Sequence, residues 1–388
     1  MLEFQRFDAA RCNFPQPLVP LLPSPTWRAL SFSAADTIAP TLMAGPGVRH
    51  FARGRYALRE AYRIAGVGSS GAVLMPAYHC RTMLDPALVL GGAIVFYPQQ
   101  ADLSPDLEAL RRLLAAPSHA IKALVLPHYF GIEQPAATMA AIAALCSSAG
   151  IFLIEDCSHA WQVATKRAAL DQTTPLHLIV ASPYKFFACE DGGVLWGHPS
   201  VLGKPTAAAP ILLEAKGFKA ALEKAIRHPG SIAPFPAPPG PERGADVRES
   251  DHPLSRMYDR QHEHRSSLAL SRWIVRHTNL PAALRQRRDN YDAWHAGLTG
   301  IGMGSALFPS LPSDCAPYMY PLLVHQPDPH FFTLKHSAMP IWRWDDMAVT
   351  DCAVASRYRL HLLHLPCHQG LTKGQLDSMI ACVAKVLA

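Results

Sequence analysis

Six short apolar runs recur between residues 71 and 197: GAVLMPAY, GAIVFYP, IKALVLPHYF, GIFLIEDCS, LHLIVASPY and GGVLWG. Most are separated by segments of helical period, such as SPDLEALRRLLAA and PAATMAAIAALCSSAG. Strands that are apolar on both faces and alternate with helices require a largely parallel sheet covered by helices on its two faces. This alternation predicts an α/β large domain with a mostly parallel central sheet.

After Gly197 the pattern changes. The stretch HPGSIAPFPAPPGPERG, residues 228 to 244, reads as an extended excursion, because its prolines neither continue a helix nor pair in a sheet. A helical stretch follows at about 262 to 299, and then YMYPLLVHQ, AMPIWRW and LTKGQLDSMIACVAKVLA read as strands and a closing helix of a smaller C-terminal α/β domain. The predicted division is an N-terminal segment at 1–50, a large domain at 51–260, and a connecting helix with the small domain at 261–388. A chain of 388 residues, 49% apolar and 17% charged, has the length and the core for two such domains.

Composition narrows the function classes. The net charge of +6 is dispersed rather than gathered into a basic block or nucleic-acid motif, so the expected partners are anionic small molecules and not nucleic acid. No stretch approaches the ~20 apolar residues of a membrane span, and the charged start MLEFQRFDAAR is not a signal peptide, so a cytoplasmic protein without a membrane partner is expected. Nine scattered cysteines, with no CxxC pair, argue for free thiols and against a disulfide framework or a metal site.

Polar residues cluster just after the apolar runs: Tyr78 and His79, His128, Asp156 and His159, Ser182 and Lys185. In an open α/β sheet, ligands bind at the carboxyl ends of the strands. Lys185 follows LHLIVASPY, a strand end where an amine is placed to attack a carbonyl. Ser182, three residues earlier, is placed to bind a phosphate. Asp156 ends FLIED, where a carboxylate can keep a pyridine nitrogen protonated, and His159 can either stack on such a ring or bond its phenolic oxygen. Together these residues compose a pyridoxal phosphate site with Lys185 as the Schiff-base lysine.

The stretches VLMPAYHC, GAIVFYPQQADLSPDLEALRRLL, LVLPHYFGI, FLIEDCSHA, SPYKFFACEDGG and LPCHQGLTKGQLDSMIACVAKVL resemble the DegT/StrS-type sugar aminotransferases. These are pyridoxal phosphate enzymes of fold type I. The resemblance covers most of residues 50 to 198 and the C-terminal stretch. It implies that Lys185 holds the cofactor, Asp156 faces the pyridine nitrogen, His159 stands at the family's glutamine and Ser182 binds the phosphate. GRYAL, residues 54 to 58, resembles the family's phosphate turn, so that Gly54, Arg55 and Tyr56 would grip the phosphate by their amides. The stacking aromatic of the family falls near Cys80, which leaves Tyr78 or His79 for that role.

His128 and Arg265 are the candidate substrate ligands, Arg265 being what remains of the family's G-Y-N-x-R-M segment in QHEHRSS, where Glu263 replaces the asparagine. The resemblance also implies a homodimer with the site at its interface. The resulting expectation is an aminotransferase that moves an amino group from an amino acid donor, glutamate or glutamine, to a keto acceptor, a nucleotide-linked keto-sugar in amino sugar biosynthesis. Two alternatives stay open on sequence alone: another reaction of the same cofactor on a non-sugar substrate, and a non-catalytic ligand-binding relative.

Overall fold

The computed structural model describes residues 2–7, 12–25, 29–33, 37–38, 40–170, 174–226, 235, 246–249 and 254–388. Its thirteen strands are β1 Phe4–Phe7, β2 Val48–Phe51, β3 Ala72–Pro76, β4 Ala93–Tyr97, β5 Ile121–Pro127, β6 Phe152–Asp156, β7 His177–Ala181, β8 Gly193–Gly197, β9 Asp246–Glu249, β10 Gly304–Ala306, β11 Met319–Val324, β12 Met347–Ala348 and β13 Leu362–Pro366. The helices are α1 Gly54–Ala65, α2 Arg81–Val89, α3 Leu107–Ala115, α4 Ala136–Ala149, α5 Trp161–Leu170, α6 Pro199–Leu202, α7 Ile211–Ile226, α8 Ala269–His277, α9 Leu280–Leu298, α10 Pro327–His336, α11 Ala353–His361 and α12 Lys373–Leu387.

All six apolar runs of the sequence become strands, β3 to β8. They form a seven-stranded sheet with β2 in the order β2-β8-β7-β6-β5-β3-β4. From β7 to β4 every neighbouring pair is parallel, and β8 is antiparallel to both β7 and β2. Strands β3 and β8 are buried along their whole length, as helices on both faces require. The turns between layers are set locally. Gly66 and Gly150 adopt left-handed conformations, φ 86° and 63°, that end α1 and α4 and return the chain to the sheet.

A second sheet, β10-β11-β13, is antiparallel and packs with α9, α10 and α12 around Tyr291, Trp294, Tyr320, Leu363 and Met379. A third, β12-β1-β9, pairs Phe4 with both Ala348 and Glu249. The first strand of the chain is thereby tied to its C-terminal half: Phe4 belongs to the core of the large sheet and Phe7 to that of the small one.

The helical stretch expected at 262 to 299 is two helices. The chain leaves helical geometry at Thr278, Asn279 caps α9 by accepting from the Ala282 amide at 3.0 Å, and Pro281 follows in its first turn. α8 and the start of α9 pack on the large-domain core through Ile274, Val275 and Leu284, while Tyr291 and Trp294 of α9 enter the small core. AMPIWRW forms a single bridge, Trp342 to His364, in place of a strand, since Pro340 has no amide to donate. The excursion at 228 to 244 lies outside the described residues apart from Phe235, which packs against the small-domain core.

Candidate active site

The carboxyl ends of β5, β6 and β7 lie side by side, with Pro127 in register with Asp156 and Asp156 with Val180. One turn of 3-10 helix, Pro183–Lys185, follows β7; Pro183 fixes its start and the Lys185 amide donates to the Ser182 carbonyl at 3.0 Å. Lys185 is half-buried, behind it are buried Phe186 and Phe187, and its Nζ lies 5.6 Å from the centroid of the Tyr318 ring.

Asp156 is buried at the end of β6, and one of its carboxylate oxygens accepts from the Ser158 amide at 2.9 Å. His159 stacks on Tyr318 with centroids 4.2 Å apart and lies 5.5 Å from Trp344. Burial, followed by the positive charge of Lys185, holds His159 well below the usual histidine range, so its imidazole is neutral. His364 on β13 is pushed down to about 3 for the same two reasons. The site thus gathers neutral rings around one amine.

α1 begins at the same edge. No side chain caps its N-terminus, and no acidic residue stands in its first turn. Against it lie two hydroxyls, with Ser182 donating to Ser158 at 2.9 Å. Gly54 makes the approach possible: a Cβ there would stand 1.9 Å from Ser182 Oγ. An uncapped helix start with two hydroxyls is a cradle for a phosphate. With the carboxylate of Asp156 and the amine of Lys185 on neighbouring strands, the residues fit pyridoxal phosphate. Gly54, Arg55, Asp156, Ser182 and Lys185 all line one cleft.

Several residues expected in the site have other employment. His79 is turned away from the cleft: its Nδ1 donates to the Ala77 carbonyl at 2.8 Å, its Nε2 accepts from the Ala348 amide at 3.1 Å, and its ring stacks on Phe96. Tyr78 stands behind the cleft wall, its hydroxyl 3.1 Å from His364 Nε2 and its ring 4.9 Å from Trp344. His128 reaches the cleft lining, yet both its nitrogens are engaged, Nδ1 accepting from the Gln134 amide and Nε2 donating to Glu155 at 2.7 Å. It is an internal brace and not a free substrate ligand. Arg265 lies 3.5 Å from Asp191 in an ion pair and is not among the residues lining the cleft. The Tyr56 amide is 3.1 Å from the Arg53 carbonyl, its hydroxyl donates to the Asp259 carbonyl, and the Arg55 guanidinium bonds the Met257 carbonyl. Of the GRYAL turn, Gly54 and Arg55 line the cleft and Tyr56 does not.

Glu155, next to Asp156, faces the opposite side. Burial alone would raise its pKa, but hydrogen bonds from His128 and His177 outweigh burial and hold it below the usual carboxylate range. His128, Glu155 and Cys157 come within metal-ligand reach of one another. Their ligand atoms are committed, however: both nitrogens of His128 are bonded, and burial pushes the Cys157 thiol well up.

Four site residues escaped the sequence reading: Ser158, Tyr318, Trp344 and His364. Ser158 sits inside FLIEDCSHA and was legible from the same strand end as Asp156. The other three come from the C-terminal half, and only packing brings them to Lys185.

The model of the DegT/DnrJ/EryC1/StrS aminotransferase family matches residues 50–209, a span that holds Gly54, Asp156, Ser182 and Lys185. This segment belongs to that family. That match supports a pyridoxal-phosphate-dependent aminotransferase. Among solved structures, it is similar to the aminotransferase TlmJ from Streptoalloteichus hindustanus, at 19% identity over 95% of this chain and 99% of that one, with a TM-score of 0.64. The sugar aminotransferase CalS13 from Micromonospora echinospora shares 19% identity over 96% and 100%, with a TM-score of 0.58. A putative sugar aminotransferase from Streptococcus pneumoniae, in its PLP form, shares 13% over 95% and 98%, with a TM-score of 0.60. At these identities the likeness establishes the fold. No curated protein matches the chain by sequence.

Proposed function

We propose that the chain transfers an amino group from glutamate or a similar amino acid to a keto-sugar carried on a nucleotide, with Lys185 as its catalytic residue, and that it does so as a cytoplasmic homodimer. The observation that carries this reading is the convergence of Lys185, Asp156 and the Ser158–Ser182 hydroxyl pair on the uncapped start of α1. Pyridoxal phosphate, when bound, supplies the electron sink that allows a proton to leave the donor's α-carbon.

The chain's own groups do the rest. Ser158, Ser182 and the first-turn amides of α1 bind the phosphate and so fix the ring end of the cofactor beside Lys185. Asp156, already oriented by the Ser158 amide, holds a proton on the pyridine nitrogen. His159, kept neutral, offers a ring nitrogen without adding a second charge beside the amine. Lys185 takes the proton from the α-carbon and delivers it in the second half of the cycle, as general base and then acid. Tyr318, 5.6 Å from Lys185 Nζ, and Trp344, on the cleft lining, set aromatic rings beside the amine.

The nucleotide-linked acceptor rests on the family of residues 50–209 and on the sugar aminotransferases among the similar folds. The cytoplasmic placement is supported by nine free cysteines and, among the described residues, by the lack of a helix long and apolar enough to cross a membrane.

The deciding experiment adds pyridoxal phosphate to the purified protein and to Lys185→Ala and follows visible absorbance. A band that forms only with Lys185 and is lost on adding glutamate is the expected result. Turnover of keto-sugars by the variant should fall on the order of 10⁴-fold or more. A band of equal size in the variant would sink the assignment of Lys185. Sedimentation of the wild type tests the dimer, and a monomer at micromolar concentration would count against it.

A further inference from the structure

Arg287 on α9 is fully buried, and among the described residues no carboxylate pairs with it. Its donors go elsewhere. Nη2 reaches the carbonyls of Phe186 at 3.0 Å and Lys185 at 3.4 Å; Nη1 reaches those of Pro317 at 2.9 Å and Tyr318 at 3.3 Å; Nε donates to Gln369 Oε1 at 2.7 Å. Gln369 in turn donates to the Phe186 carbonyl at 2.9 Å, and the Phe186 ring lies 4.1 Å from the guanidinium carbon. Burial pushes the Arg287 pKa down to about 10, which leaves it cationic at neutral pH.

A side chain needed only to fill this space would be neutral, because burying a cation without a counter-charge is costly. What a guanidinium adds is a rigid planar fork of five donors, able to grip carbonyls of separate segments at once; a lysine ammonium cannot reach both pairs. The segments it joins are those that build the site. One is the turn that carries Lys185. Another leads into β11 and carries Tyr318, whose ring faces Lys185 Nζ at 5.6 Å and stacks on His159 at 4.2 Å. The third follows β13 and carries Gln369.

We propose that Arg287 is a positioning residue that fixes the distance between Lys185 on the large domain and the Tyr318 wall on the small one, with Gln369 completing the clamp. It stands outside the cleft lining and acts through the backbone of the residues it holds. The inference rests on the aminotransferase reading of Lys185.

The test compares full-length wild type with Arg287→Lys and Gln369→Met, each loaded with pyridoxal phosphate. Three readouts are taken: the absorbance titration, the visible circular dichroism per bound cofactor, and the single-turnover rate with glutamate. Thermal melting checks that each variant folds. Both variants are expected to bind the cofactor nearly as wild type does and to lose visible dichroism, since the ring is no longer held in one orientation. Single-turnover rates should fall about 10²-fold in R287K and about tenfold in Q369M, the scale of a misplacement near 1 Å. Unchanged dichroism in both variants, or a loss confined to cofactor affinity, would overturn the inference; if R287K does not fold, Q369M alone decides. A wild type that forms no Lys185-dependent band would overturn the aminotransferase reading itself, a result distinct from either.

Discussion

The two walls of the cleft are built on different plans. On the large-domain side, Asp156, Ser158, Ser182 and Lys185 stand on the ends of adjacent parallel strands, each within a few residues of the strand that places it. On the small-domain side, Tyr318, Trp344 and His364 come from the approach to β11, the segment just after the Trp342 bridge and the antiparallel strand β13, and they reach Lys185 only because α9 and the small sheet pack against the large domain. The polar wall can bind and activate a phosphorylated cofactor. The aromatic wall touches whatever lies on the far side of Lys185. One scaffold can therefore keep its chemistry while its acceptor is set by the second wall.

Gly54→Ala should separate the two most sharply. A Cβ 1.9 Å from Ser182 Oγ forces that hydroxyl to swing away and give up its 2.9 Å bond to Ser158, while nothing on the small-domain wall is touched. Affinity for pyridoxal phosphate should fall about 10- to 100-fold, which is about 1.4–2.8 kcal/mol. An absorbance titration measures it. Affinity within a factor of about two of wild type would mean that the α1 start is not the phosphate cradle.

The same division explains what could be read from sequence. The six apolar runs became β3 to β8 because burial on both faces leaves a local signature. Lys185, Asp156, His159 and Ser182 fell in the cleft because a parallel sheet brings all its strand ends to one edge. His79 and His128 sit at such ends too, yet their nitrogens are used inside the fold, at Ala77, Ala348, Gln134 and Glu155, which adjacency in sequence does not reveal. AMPIWRW reads as a strand, while it makes one bridge at Trp342 and brings one ring to the cleft: Trp344 lies 5.5 Å from both His159 and His364, a tertiary fact with no periodic trace.

Trp344→Ala addresses the second wall. The indole lines the cleft and lies 4.9 Å from Tyr78. Its removal should raise the acceptor's KM about tenfold, by roughly the value of one aromatic contact, and lower stability by about 3 kcal/mol. Half-saturation by pyridoxal phosphate should stay within about twofold, and Trp344→Phe should recover most of the KM. If cofactor affinity falls along with acceptor binding, the two walls are not independent and the division of labour drawn above fails.

The smallest effect concerns stability and asks whether the two halves unfold together. Burial holds His79, at the large-sheet edge, down to about 4 and His364, in the aromatic wall, down to about 3. Their ordinary value in an unfolded chain is about 6.5. Between those values the unfolded chain binds protons that the folded one refuses, so stability is full above about pH 6.5 and is lost as pH falls towards 4. At pH 5 each histidine should cost about 2 kcal/mol relative to pH 7.5. Melting temperature should drop over that interval, and His79→Leu and His364→Leu, though less stable at pH 7.5, should each show a shallower drop. Equal flattening in a single transition means that α9 and the β12-β1-β9 sheet weld the halves into one cooperative unit. If His79→Leu flattens an early transition and His364→Leu a late one, the halves melt separately, and α9 and the β12-β1-β9 sheet do not weld them into one cooperative unit.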